Sequence, residues 1–88
     1  MQNSPFIRSF RIYKMEDRAN IQCWNHLMPL LAVGLENGKI QIFSVLHEAP
    51  IMSYNAHQGR ITDLKWSSTG LFLASASEDG FIKIWSVP

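Results

Sequence analysis

Residues 73–86 read Leu-Ala-Ser-Ala-Ser-Glu-Asp-Gly-Phe-Ile-Lys-Ile-Trp-Ser, and this stretch decides the fold. Residues 71–77 predict a strand buried on both faces, and residues 81–85 predict the next strand. The Asp-Gly pair at 79–80 indicates a hairpin between them, because glycine adopts the positive φ that a tight primed turn requires. Upstream, residues 61–66 alternate apolar and polar side chains, which predicts a third strand of the same antiparallel meander.

The same pattern occurs a second time, 42 residues earlier. Between positions 24 and 45, nine residues are identical to those 42 positions later: Trp24, Leu31, Ala32, Glu36, Gly38, Ile40, Ile42, Ser44 and Val45. A period of about 40 to 45 residues is typical of repeats that form four strands each. The first copy therefore predicts strands at 21–24, 30–35 and 39–45, with an Asn-Gly turn at 37–38.

The two copies divide the chain into three segments. Residues 1–14 are expected to contain an N-terminal outer strand, at 6–13. Residues 15–54 form the first repeat, which a fourth strand at 51–54 completes, and residues 55–88 form the second repeat without its fourth strand.

Residues 54–86 resemble a WD40 repeat. Ala56 and His57 stand at the family's Gly-His position, and residues 82–86 stand at its Trp-Asp end, with serine in place of the aspartate. The resemblance implies an all-β, partial WD40-type β-propeller with about two four-stranded antiparallel blades and an N-terminal outer strand that latches the ring. It also implies a structural tetrad of hydrogen bonds, made by His57, Ser75, Asp79 and Trp85.

The first copy resembles the family in its strand pattern only. Its tetrad positions hold Met15, Val33, Asn37 and Phe43, which cannot form the same network, so its cohesion must come from apolar packing. Trp24 and Trp66 recur at the repeat period, which favours core packing over the stacking of nucleic-acid bases.

The identity and spacing of the candidate residues argue against a catalytic or metal-binding site. His57, Ser75 and Asp79 are the residue types of a hydrolase triad, but a triad is recognised by geometry and roles, and Ser75 lies in a strand predicted to be buried. Cys23, His26, His47 and His57 lack the close spacing of metal ligands. We expect no enzyme activity, no metal and no cofactor.

Charge and cysteine usage point to no special partner or compartment. Eight Lys and Arg residues against seven Asp and Glu residues are scattered along the chain, so no nucleic-acid partner is expected. The single cysteine and the lack of a targeting or membrane segment favour a cytoplasmic protein, with the nucleus as the alternative.

Family resemblance places the loop between repeats and the turns between second and third strands on one rim of the ring. Polar residues at loops of a rigid scaffold are where recognition is usually built. The candidate partner-binding residues are Arg60, Glu78, Gln58, Asn55 and Glu36.

The predicted function is a protein-protein interaction scaffold that binds proteins or peptides through this rim. The alternative is a phosphoinositide or membrane-trafficking module, because residues 34–38 and 56–62 also resemble WD40 proteins that carry a FYVE finger on endosomes. Two repeats cannot close a ring of four to eight blades. We therefore expect one of three cases. The chain is a truncated isoform of a longer propeller and has no independent function, or it completes its ring by self-association, or it needs another protein to fold.

Overall fold

Seven strands form two antiparallel sheets in the computed structural model, which describes residues 11–87. The first sheet contains, in spatial order, β1 (Ala19–Trp24), β2 (Leu30–Leu35), β3 (Lys39–Ser44) and β4 (Met52–Asn55). The second contains β5 (Ile61–Trp66), β6 (Phe72–Ser77) and β7 (Ile82–Ser86). Within residues 11–87, no helix has the length and apolar character needed to cross a membrane.

The predicted succession of strands is confirmed, with ends shifted by one or two residues. The predicted outer strand at 6–13 falls mostly outside the described residues. Its last three positions, 11–13, are described and lie outside the seven strands. This strand stays a prediction.

The hairpin loops differ from the predicted primed turns. Gly38 and Gly80 each have a φ of +90°, but no described residue other than glycine has a positive φ. A primed turn centred on residues 79 and 80 requires a positive φ at Asp79, so that prediction is wrong. Instead, the N–H of Gly80 donates to the carbonyl of Ser77 over 3.1 Å, which closes a three-residue loop ending in a left-handed glycine.

The second sheet packs on the first through β5. Ile61, Leu64 and Trp66 are all buried. A β-bulge between Ile61 and Asp63 re-aims the strand, so that Ile61 shares a face with Leu64. The Trp66 indole N–H donates to the carbonyl of Cys23 over 2.9 Å. These side chains join one apolar cluster with residues of the first sheet, among them Leu30, Ala32, Ile40 and Ile42.

Ile61 lies directly over Gly34 of β2. A Cβ atom added to Gly34 would come within 2.5 Å of the Ile61 Cγ2 atom. Glycine therefore leaves the room that a branched side chain occupies between the two sheets.

The second sheet is covered on one face only. Leu73 of β6 is fully buried, whereas Phe72 is 46% exposed, and Ile82 and Ile84 of β7 are 75% and 65% exposed. The prediction of a strand at 71–77 buried on both faces is therefore wrong. Its alternate side chains point to a face on which no described residue packs closely.

Trp24 also departs from its predicted place in the core. It is 54% exposed, whereas Trp66, its equivalent in the second repeat, is 4% exposed. Cys23 packs against the cluster between the sheets, and side chains alternate along a strand, so Trp24 points away from the second sheet.

Replacing Gly34 with alanine should lower the free energy of unfolding by about 1–3 kcal/mol, the usual cost of extra volume in a packed interior. Urea denaturation followed by tryptophan fluorescence measures this change. Ala76, 42 residues later on the uncovered face, supplies the control, because Ala76→Gly should cost at most about 1 kcal/mol. An unchanged stability of Gly34→Ala would contradict the close contact with Ile61.

Candidate functional site

The four predicted tetrad residues lie in one chain of hydrogen bonds. The Trp85 indole N–H donates to Ser75 Oγ over 2.9 Å, and Ser75 Oγ lies 2.8 Å from His57 Nε2. His57 Nδ1 lies 3.0 Å from Asp79 Oδ2. When Nδ1 carries the ring proton, the indole N–H, the serine hydroxyl and the ring N–H each have an acceptor, and the chain runs from Trp85 to Asp79.

His57 connects the two sheets. Its backbone N–H donates to the carbonyl of Gly38 over 3.0 Å, in the β2–β3 turn of the first sheet. Its side chain, with the residue only 7% exposed, is bonded to Ser75 of β6 and to Asp79 in the β6–β7 loop. The segment that leaves β4 is thereby attached to both sheets.

Asp79 is held by several donors. Its two carboxylate oxygens accept the backbone N–H groups of Gln58 and Phe81, each over 2.9 Å. Burial alone would raise the pKa of Asp79, but the N–H groups of Phe81 and Gln58 and the His57 ring outweigh it and lower the pKa to about 2. The carboxylate is therefore the stable form over a wide pH range.

The first sheet replaces this polar chain with apolar packing, as expected from the sequence. Asn37 keeps one feature of Asp79, because its Oδ1 accepts the N–H of Lys39 over 3.0 Å. Tyr13 packs on Phe43 with ring centroids 4.6 Å apart and donates its hydroxyl to the carbonyl of Ser44 over 2.6 Å. The apolar cluster consists of Tyr13, Met15, Leu31, Val33, Leu35 and Phe43. The predicted apolar cohesion of this blade is confirmed.

Three of the five candidate rim residues are joined by ion pairs. Arg60 Nη2 lies 3.2 Å from Glu78 Oε2, and Arg60 Nη1 lies 3.7 Å from Glu36 Oε2. The hydrogen bond and charge of Glu78 raise the pKa of the Arg60 guanidinium. Arg60 therefore spans the β2–β3 and β6–β7 turns. Since both glutamates and Arg60 remain partly exposed, this bridge forms part of the surface.

Asn55 and Gln58 precede Arg60 along the chain. Asn55 is the last residue of β4 and Gln58 follows in the connection to β5. Both are exposed, and among residues 11–87 neither side chain has a hydrogen-bond partner.

Sequence reasoning missed Asn20 of β1. Its Oδ1 accepts from Arg60 Nη1 over 2.9 Å, and its Nδ2 donates to the carbonyl of Ile61 over 2.6 Å. The residue 42 positions after Asn20 is Thr62, so the comparison of the two repeats did not predict this contact.

The metal ligands considered from the sequence do not converge. Cys23 is half-buried at the interface of the sheets, and His26 and His47 are exposed in separate turns. Across the described part of the chain, no three His, Cys, Asp or Glu side chains are grouped to hold a metal ion.

Ser75→Ala should lower the free energy of unfolding by about 1–3 kcal/mol, because it leaves the Trp85 N–H and His57 Nε2 without a partner in a buried site. Chemical denaturation measures the loss. Ser53→Ala, at an exposed serine of β4, is the control and should change stability little. Equal stabilities of the two variants would contradict a stabilising role for the tetrad.

Acid should weaken the stabilisation that Asp79 supplies. Because the folded pKa of Asp79, about 2, lies below the ordinary aspartate pKa of 3.8, this stability is fully present above the unfolded pKa and is lost as pH falls through the folded one. The difference in Tm between wild type and Asp79→Asn should be constant above about pH 5 and shrink towards pH 2. Asp17→Asn, at an exposed carboxylate outside both sheets, gives the background, and a difference that persists undiminished at the acid end would refute this role.

Residues 48–86 match the family described as WD domain, G-beta repeat. The chain is 29% identical to eukaryotic translation initiation factor 3 subunit I from Culex quinquefasciatus, over 93% of this chain and 25% of that protein. It is 30% identical to the periodic tryptophan protein 2 homolog from Caenorhabditis elegans, over 91% and 9% of the two chains. The chain thus spans a quarter or less of the length of these relatives.

Solved structures show the same fold. The β-propeller domain of Cps50 (Swd1) from Myceliophteria thermophila superposes with a TM-score of 0.78 and 23% identity, over 83% of this chain and 22% of that one. The computationally designed protein Ika4 superposes with a TM-score of 0.70 and 18% identity, over 80% and 41%. Residues 48–86 are therefore a WD40 repeat, and the two stacked sheets have the fold of part of a β-propeller.

Proposed function

We propose that this chain is a non-enzymatic scaffold that binds proteins or peptides through one rim of its sheets. The rim consists of Glu36, Asn55, Gln58, Arg60 and Glu78. The observation that carries the proposal is that Arg60 bridges the turns of both sheets, while the exposed amide side chains of Asn55 and Gln58, shortly before it in the chain, remain unpaired within residues 11–87.

Rigidity supports this surface. Backbone bonds fix the connection that carries Gln58 at both ends: the N–H of His57 donates to Gly38, and the N–H of Glu78 donates to the carbonyl of Arg60 over 3.0 Å. A loop whose backbone is already fixed loses little backbone conformational entropy when a partner binds, which favours affinity.

The charges on the rim favour a protein partner over an anionic lipid. Glu36 and Glu78 both pair with the guanidinium of Arg60, so these three side chains together are net negative. A phosphoinositide headgroup would face these carboxylates at close range, whereas amide and hydroxyl groups of a peptide meet no such repulsion.

The enclosed position of Ser75 supports a role outside catalysis. Ser75 is 1% exposed, and its hydroxyl is already bonded to both Trp85 and His57. A serine nucleophile needs access to its substrate and donors placed for the oxyanion, and this hydroxyl is enclosed between β6 and the His57 ring.

A photoreactive amino acid placed at Gln58 should form discrete adducts with proteins in a cell lysate. The same probe at His26, in the exposed turn at the opposite end of the first sheet, is the control and should form few. Unlabelled wild-type chain should compete for the adducts, and Asn55→Ala/Gln58→Ala should compete several-fold less well, because the unpaired amides supply contacts. Adducts whose mass is a multiple of the chain's own are not counted. The same adducts at both positions would rule out this rim as the binding surface.

A further inference from the structure

Two uncovered faces of the stacked sheets are counterparts of each other. The tail face lies on the second sheet and contains Asp63, Lys65, Phe72, Ala76, Ile82 and Ile84. The head face lies on β1 of the first sheet and contains Ala19, Gln22 and Trp24. Each tail-face residue lies 42 positions after a residue of the first sheet that β5 covers. Each head-face residue lies 42 positions before one of the β5 residues that form this cover, Ile61, Leu64 and Trp66.

We propose that this chain associates head to tail with a second copy of itself. In this arrangement β1 of one copy packs on the tail face of the next copy, as β5 packs on the first sheet within one chain. Four features of the two faces favour this contact: the space for the indole, the size of the residues at one close contact, the polarity at the centre, and the charge at the edge.

The tail face has space for an indole ring. A groove of about 390 Å³ lies between Lys65, Phe72 and Ile84. These residues are the equivalents of Cys23, Leu30 and Ile42, which belong to the cluster around Trp66. Trp24 of a second copy is the equivalent of Trp66, and its 54% exposure leaves it available for this groove.

The residue sizes at the close contact are reciprocal. Within the chain, Ile61 lies over Gly34, and a Cβ atom at Gly34 would clash with it. The tail face has Ala76 in place of Gly34, so it excludes an isoleucine at the same height. The head face has Ala19 in place of Ile61. Ala19 of the second copy, smaller than isoleucine, therefore leaves space for the Cβ atom of Ala76, which is absent at Gly34.

The polarity at the centre is reciprocal too. Within the chain, Leu64 belongs to the cluster that includes Ile21 and Cys23. At the equivalent places the tail face carries Asp63 and Lys65, and the head face carries Gln22 instead of leucine. At this position both faces carry polar side chains where the contact within the chain has apolar ones. In the contact between copies, neither a charge nor an amide is therefore buried against an aliphatic side chain.

An ion pair is available at the edge. Arg60 of the second repeat reaches Glu36 of the first, 3.7 Å away. Arg18 of a second copy would reach Glu78 in the same way. Arg18 is exposed and forms no ion pair within residues 11–87, so its guanidinium is available for this contact.

Head-to-tail contacts use two different surfaces, so they form a ring where the rotation between copies closes and an open filament where it does not. The rotation between neighbouring blades of a propeller closes a ring. Propellers usually contain four to eight blades, which corresponds to about two to four copies of a two-bladed chain. We therefore expect a particle with about two to four times the chain mass of 10.1 kDa.

Complementation between two broken surfaces tests the proposal. Trp24→Asp disables the head face and Ile84→Asp the tail face, and both residues are exposed in the single chain. Light scattering should give an oligomer for wild type, a monomer for each variant, and a heterodimer for their equimolar mixture, since each variant keeps one intact face. Leu46→Asp, at an exposed turn residue outside both faces, should keep the wild-type mass, and circular dichroism should report the same strand content throughout.

A size exchange tests the register. Ala19→Ile should abolish association, because the new side chain meets the Cβ of Ala76. Adding Ala76→Gly to the same chain should restore it, since the Ile61–Gly34 contact is then reproduced between copies. A monomeric wild type, single face variants that still associate, or a double variant that fails to recover would each overturn the proposal.

Discussion

The packing of β5 on the first sheet is the interaction on which the rest of the structure depends. A sheet with one apolar face must bury that face against another element. Ile61 over Gly34 and the Trp66 indole on the Cys23 carbonyl fix both the distance and the register of the two sheets. Once these are fixed, the β2–β3 and β6–β7 turns lie at the same end, and Arg60 can span them.

The two repeats use different side chains for the same structural role. Each must attach the segment that precedes its first strand to the sheet that follows. The second repeat uses a histidine, a serine, an aspartate and an indole in a chain in which every donor has an acceptor. The first uses apolar and aromatic side chains at the same places, with Tyr13 bonded to the backbone through its hydroxyl. Backbone position, rather than residue identity, is the feature that the repeats share.

The sequence was sufficient for the fold because the period of 42 transferred each strand from the well-formed repeat to the degenerate one. It also placed His57, Ser75, Asp79 and Trp85 at spacings that the folded chain brings together. The sequence did not show which faces of the strands are covered by another sheet. Trp24 and Trp66 are the same residue at equivalent positions, yet only the second meets another sheet, and a local pattern holds no information about that neighbour.

Details of the loops and the rim were beyond the sequence for a related reason. An Asp-Gly pair is compatible with several hairpin loops, and the choice of a three-residue loop depends on the strand register. The bridging role of Arg60 arises because β1 and β5 lie side by side, which brings Asn20 and Glu36 to it from the other repeat. Contacts between repeats are long-range in sequence, so composition and periodicity within one repeat do not reveal them.

The bulge that turns Ile61 towards Gly34 recurs in the first repeat, between Ala19 and Ile21. Each stretch of 42 residues thus carries a projecting first strand and a receiving surface on the strands that follow. A genetic duplication or deletion of one such stretch, in frame, adds or removes one joint. The backbone pairing of that joint is supplied by the repeat itself, whereas the side chains that meet there, such as a branched residue over glycine or alanine, must then adapt to each other.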